Sequence, residues 1–152
     1  MRKKIIIFIA GSGENKKNII NFIKINKLQK IVKYSGELDE NNLKKWFYKI
    51  DLYLHPSFGE AMSTSILQAL SSFTPVLASN VSGINNFLEK KKYLGKLFNN
   101  DLKDLKKKLI YFIEITNKEF YQFQKIQRDF YLKKYSPNMF KKKYLKEINE
   151  IF

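Results

Sequence analysis

The first apolar stretch of the chain, Ile5-Ile6-Ile7-Phe8-Ile9, is an unbroken run rich in β-branched residues, the pattern of a strand covered on both faces. Gly11-Ser12-Gly13-Glu14 interrupts it, and Ile19, Ile20, Phe22 and Ile23 then recur at helical spacing. The same change of period repeats down the chain. Ile31 to Tyr34 predicts a second strand, closed by Ser35-Gly36, and Asp39 is placed to cap a helix through Leu43, Trp46 and Phe47 to Ile50. Leu52-Tyr53-Leu54 predicts a third strand. The loop His55-Pro56-Ser57-Phe58-Gly59-Glu60 leads from it to a helix over Thr64 to Ser72, with Ser63 as N-cap. Pro75 to Ala78 predicts a fourth strand, Val81-Ser82-Gly83 a loop, Asn85 to Lys90 a short helix, and Leu94 to Phe98 a weak strand or turn.

From Asp101 onward the strand signal disappears. Two or three Lys-rich amphipathic helices are expected there: through Leu105, Leu109 and Phe112, through Phe120, Phe123, Ile126 and Phe130, and after Pro137 through Phe140, Tyr144 and Ile148. Strands alternating with helices over short loops predict the α/β class. The expected architecture is a single Rossmann-like open, mostly parallel sheet with right-handed crossovers and helices on both faces, followed by C-terminal helices. No repeat, linker or low-complexity segment divides the chain. Residues 1–152 are therefore expected to form one domain, with 101–152 as its helical tail.

Composition narrows the chemistry. With 44% hydrophobic and 28% charged residues the chain can build a core. No apolar run approaches the roughly 20 residues that cross a bilayer. The absence of cysteine excludes a disulfide framework and thiolate zinc sites, and a single histidine, His55, leaves little for a His-based metal cluster or a Ser-His-Asp triad. Metal and nucleophile chemistry of those kinds is not expected. Met1-Arg2-Lys3-Lys4 opens like a signal peptide, but the apolar stretch stops at Gly11, so the segment reads as a buried strand of a cytoplasmic protein.

The formal charge of +15 brings in two further partners, nucleic acid and an anionic membrane face. Only Arg2 and Arg128 are arginines, and the lysines are spread along the whole chain, so the charge lacks a nucleic-acid motif to use it. Peripheral contact with the cytoplasmic face of an anionic membrane stays open. The aromatic residues from Phe120 to Tyr135 recur at helical spacing, which favours packing against a sheet or a second domain over base stacking.

Candidate chemistry concentrates in residues 51–83. The strand ending at Leu54 delivers Glu60 to the carboxyl edge of a parallel sheet, where ligands of such sheets sit. The next helix points its N-terminal backbone N–H groups, near Ser63 to Ser65, into the same crevice, a ready place for phosphate. Ile66, Leu70 and Phe73 share one helix face, whereas Gln68 lies about 200° around from Ile66 and faces away from the core. Glu60 and Gln68 could thus bracket a polyhydroxylated ligand. Gly11-Ser12-Gly13 does not complete a dinucleotide fingerprint, because residue 16 is Lys, and reads as a tight strand-to-helix turn. His55, after an apolar strand and before Pro56, reads as a hydrogen-bonded imidazole beside the cleft rather than a base.

Pro56-Ser57, Glu60, Gln68 after seven intervening residues, Pro75-Val76 and Ala78-Ser79 form one ordered pattern. It resembles the donor-binding half of family 4 retaining glycosyltransferases of the B-type fold, whose hallmark is a Pro-Ser loop, a Glu, seven residues, a second acidic residue, a small-residue turn, Pro-Val and Ala-Ser. Gly11 to Glu14, Ser35-Gly36, Asp51, Gly95-Lys96-Leu97-Phe98, and Tyr135-Ser136 with Phe140 and Tyr144 fall in that family's order. The resemblance implies that Glu60 contacts hydroxyls of a donor sugar, that backbone amides at Ser63 and Thr64 approach the diphosphate or sugar, and that Gln68 holds the nucleotide ribose. It implies a nucleotide sugar as substrate with no cofactor and no metal, phosphate charge being met by helix N-termini and basic side chains. It also implies transfer with retention to a glycan or lipid-linked acceptor in cell-envelope glycan biosynthesis, and a last helix that packs back across a domain boundary.

Two departures qualify it. Gln68 stands where the family has an acid, so a charge-assisted bond becomes a neutral one of about half the strength. The family's diphosphate-gripping Arg and Lys, and its acceptor-binding N-terminal domain, precede the strand with which this chain starts. Arg2, Lys3 and Lys4 lie at the wrong end of that strand to replace them. The expectation is a donor-binding half that is inactive alone and is completed by a separate N-terminal half. The alternatives are a non-catalytic truncated remnant and a basic module docking on nucleic acid or a membrane surface.

Overall fold

The computed structural model describes residues 5–88 and 96–151, and the chain divides into two compact units, residues 1–46 and 47–152. The first unit contains β1 (Ile7–Ala10), α1 (Lys16–Ile25) and β2 (Val32–Gly36). β1 and β2 pair in parallel, from Ile7 opposite Val32 to Ala10 opposite Gly36. The turn after β1 is tight, as its glycines predict. Gly11 has φ of 124°, its N–H donates to the Gly36 carbonyl at 2.7 Å, and its own carbonyl accepts from the Tyr34 hydroxyl at 2.6 Å.

The expectation of a covered first strand is not met. Ile5, Ile6, Ile7 and Phe8 are 51%, 42%, 49% and 38% exposed, and Ile20, Phe22 and Ile25 of α1 also face solvent. Of the ten residues of α1 only Ile23 is buried. Two strands and one short helix supply too few apolar side chains to close a second layer over the strand.

α2 (Glu40–Lys49) begins where the sequence placed its cap, with the Asp39 carboxylate accepting from the Asn42 N–H at 2.8 Å and from the Asn42 side chain at 2.6 Å. These bonds, the backbone N–H foremost, hold the Asp39 carboxyl below its usual range.

In the second unit β3 (Tyr53–His55), α3 (Thr64–Ser71), β4 (Val76–Ser79), α4 (Ile84–Phe87) and β5 (Lys96–Phe98) precede α5 (Leu102–Glu114), α6 (Asn117–Lys134) and α7 (Pro137–Ile151). The strands lie in the order β3-β4-β5, all parallel, with His55 opposite Ala78 and Ser79 opposite Phe98. Parallel strands flanked by helices, with three further helices at the C-terminal end, are the fold class the alternation predicted; the hydrogen-bonded pairs group as β1-β2 and β3-β4-β5. The expected short helix to Lys90 and the strand from Leu94 run partly outside the described residues.

Every residue of the central strand β4 is buried, as the apolar run Pro75 to Ala78 requires. On the sheet, Leu77 and Phe98 meet Phe112, Ile115 and Phe123 of the tail, with Leu52, Leu54, Leu105, Leu109, Tyr111 and Phe120 around them. The rings of Phe112 and Phe123 lie 5.5 Å apart. The helical aromatic spacing of the tail is thus core packing. α6 also grips the end of α3 and the start of β4 through polar side chains. Gln124 donates to the Phe73 carbonyl at 3.1 Å, Arg128 donates to the Ser71 carbonyl, and the buried Gln127 accepts from the Val76 N–H at 3.1 Å.

Candidate functional site

β3, β4 and β5 end together at His55, Ser79 and Phe98, and three loops leave that edge side by side. The longest, residues 56–63, carries Glu60. Its neighbours fix it from two directions. The Ser57 N–H donates to the Ser79 hydroxyl at 2.8 Å, and Asn100, in the loop after β5, donates to the Ser57 carbonyl at 3.0 Å. From the other side Gly83, with φ of 86°, lies so close that a Cβ built on it would stand 1.6 Å from the Glu60 carbonyl oxygen. Only glycine satisfies both the backbone angle and the space there. Asn80 links the remaining loops, its N–H donating to the Phe98 carbonyl at 2.8 Å and its side chain to Asn99 at 3.2 Å.

Within this frame Glu60 is half-buried and turned toward the strand. Its Oε2 lies 2.6 Å from His55 Nε2, and His55 Nδ1 lies 3.0 Å from the Tyr53 hydroxyl. Side-chain exposure is 15% for His55 and 31% for Glu60. The Tyr53 hydroxyl is pushed above its usual pKa by burial first; a hydrogen bond with the Ser65 side chain opposes the shift and the Glu60 charge adds to it. The imidazole is hydrogen-bonded on both nitrogens, as the sequence suggested.

Ser63 caps α3, accepting from the Ile66 N–H at 3.4 Å with φ of −91° and ψ of 114°. Ser63 is buried in that role, whereas Thr64, the first residue of the helix, is exposed, so the part of the helix start open to a ligand is at Thr64. Gln68 is exposed on the face away from Ile66, Ala69 and Leu70, which are fully buried. It opens on a shallow groove of about 370 Å³ shared with Leu67, Ser71, Tyr131, Tyr135, Pro137 and Phe140. The structure therefore gathers Glu60, His55 and Tyr53 at the sheet edge and sets Gln68 on the α3 surface facing α6 and α7. Among the described residues no group of three or more His, Asp or Glu side chains could hold a metal ion. None of the described helices is long and apolar enough to cross a membrane.

Sequence reasoning missed the contribution of Ser79, Asn80, Gly83 and Asn100. The Asn99-Asn100-Asp101 turn directly after a strand was the available signal for Asn100. Nothing local marked the approach of Gly83 to a loop more than twenty residues earlier.

A parallel α/β unit that presents a loop carboxylate and a capped helix start beyond the carboxyl ends of its strands is Rossmann-like, with those groups at the edge where ligands of such sheets sit. Its architecture is that of the B-type glycosyltransferase fold. HepE of Anabaena, crystallised with UDP, superposes with a TM-score of 0.81 at 17% identity, over 96% of this chain and 41% of HepE. The sequence family described as glycosyl transferases group 1 matches residues 1–128, and the chain belongs to that family. It fits the C-terminal domain of such an enzyme.

Among curated relatives, the O-antigen biosynthesis glycosyltransferase WclY of Escherichia coli is 33% identical over 78 residues, 51% of this chain and 22% of WclY. Protein CapJ of Staphylococcus aureus is 34% identical over 88 residues, 57% of this chain and 22% of CapJ. The chain thus spans about a fifth of the length of these relatives.

Proposed function

We propose that the chain is the nucleotide-sugar-binding half of a glycosyltransferase acting in cell-envelope glycan biosynthesis. The donor would bind past the carboxyl ends of β3, β4 and β5. The observation that carries this reading is the convergence there of the Glu60 loop and the capped start of α3. Two comparisons support it: HepE has been crystallised with UDP and with UDP-glucose, and WclY is named for O-antigen biosynthesis. In this reading Glu60 accepts from sugar hydroxyls and the start of α3, at Ser63 and Thr64, meets the diphosphate. Gln68, about one turn farther along α3, would hold the ribose. With an acceptor-binding half in place, the sugar passes with retention of configuration to a glycan or lipid-linked acceptor. Both substrates must be held together for the transfer to become effectively unimolecular, so transfer also takes an acceptor-binding half.

Calorimetry with UDP, GDP and their sugars tests the reading. Saturable binding to one nucleotide series is expected. Glu60→Ala should weaken the nucleotide sugar and spare the free diphosphate. Gln68→Ala should weaken both by a neutral hydrogen bond, about 0.5–1.5 kcal/mol. A folded chain that binds none of these ligands overturns the assignment.

A further inference from the structure

His55 ends β3 with both ring nitrogens engaged, Nδ1 at 3.0 Å from the Tyr53 hydroxyl and Nε2 at 2.6 Å from Glu60 Oε2. Burial keeps Tyr53 a protonated phenol at neutral pH. A donor on one side and a carboxylate on the other are satisfied together by one imidazole tautomer: Tyr53 O–H donates to Nδ1, and Nε2–H donates to Oε2. The second carboxylate oxygen, Oε1, is then left for a ligand. A glutamate has three rotatable bonds, and this one sits on a loop with 31% of its side chain exposed, so without a partner it would sample several rotamers.

We propose that His55 is a positioning residue for Glu60, locking one carboxylate oxygen so that the other is aimed at the hydroxyls of the donor sugar. Tyr53 fixes the tautomer. The inference rests on the donor-site reading above and adds to it the group that makes Glu60 selective for the sugar. Its energetic logic is preorganisation: ordering a mobile side chain before the ligand arrives removes that cost from binding.

Two measurements test it. His55 is the only histidine, so a single imidazole appears in ¹⁵N spectra of the full chain. The Nε2–H tautomer with a slowly exchanging ring proton is expected, and Glu60→Ala should speed that exchange. Calorimetry then compares the preferred nucleotide sugar, chosen from the glucose, galactose, N-acetylglucosamine and mannose derivatives of UDP and GDP, with its free nucleoside diphosphate. His55→Phe keeps an aromatic ring against Tyr53 and removes both hydrogen bonds. It should lower the nucleotide-sugar affinity about tenfold relative to the diphosphate, with diphosphate affinity and melting temperature little changed. His55→Gln restores an N–H donor and should recover much of the loss.

A merely structural ring gives the opposite order, with Phe tolerated and Gln impaired, and that order overturns the proposal. So does the Nδ1–H tautomer, or an unchanged affinity ratio in His55→Phe. If the folded chain binds no member of the panel, the donor-site reading itself fails.

Discussion

At Gly83 an added methyl group would overlap the Glu60 carbonyl at 1.6 Å and approach that of Ala61 to 2.8 Å, on a backbone whose φ of 86° already disfavours a side chain. Gly83→Ala should therefore cost more than the roughly 1–3 kcal/mol of left-handed strain alone, because the Glu60 loop must move as well. Urea denaturation measures the loss, and nucleotide-sugar binding should fall with it. Gln127 occupies a core position of α6, 1% exposed, where its carbonyl accepts from the Val76 N–H. Gln127→Leu leaves that N–H buried and unsatisfied, a cost of about 1–3 kcal/mol that is partly offset because the Gln127 Nε2 it removes is itself buried without a hydrogen-bond partner. Neither residue stood out in the sequence. Periodicity credits Phe123, Ile126 and Phe130 to the buried face, while the structure puts Gln127 there and leaves Ile126 half-buried. Glu60 was legible because it belongs to a spaced pattern. Its imidazole partner was legible only as a hydrogen-bonded residue of unknown partner.

At the scale of elements, caps explain why α2 and α3 start where the sequence places them, at Asp39 and Ser63. Ser63→Ala should destabilise α3 by about 0.5–2 kcal/mol, read as a lower urea midpoint. The start of α6 has a full capping box, in which the Glu119 carboxylate accepts from the Thr116 N–H and hydroxyl, both at 2.9 Å. These two bonds hold the Glu119 carboxyl below its usual range. A carboxyl whose folded pKa is depressed contributes stability above its unfolded value and loses it as pH falls through the folded one. Acid should thus erode the stability of the chain in the range below the ordinary glutamate pKa, and Glu119→Gln should remove that part of the pH dependence. Strand ends drifted by a residue between expectation and structure, to His55 and Ser79 instead of Leu54 and Ala78. Parallel pairing continues through the polar residues that hydropathy treats as the start of a loop.

For the whole molecule, the charge of +15 is the property a solution experiment meets first. Mixed-sequence DNA should be retained at low salt and released steeply as salt rises, because lysine contacts to phosphate act through counterion release. Nucleotide-sugar binding at the sheet edge should survive the same salt, which separates the two in one titration. The α/β class and the tail helices were legible because alternation and period are local properties. The exposure of β1 was not, because a run of Ile and Phe states what a strand needs and is silent on what is present to cover it. That exposed strand has a colloidal consequence. Mutual repulsion of the positive surfaces keeps the bare strand of one copy from that of the next, so screening the charge should promote reversible self-association, and light scattering from the isolated chain should increase with added sodium chloride.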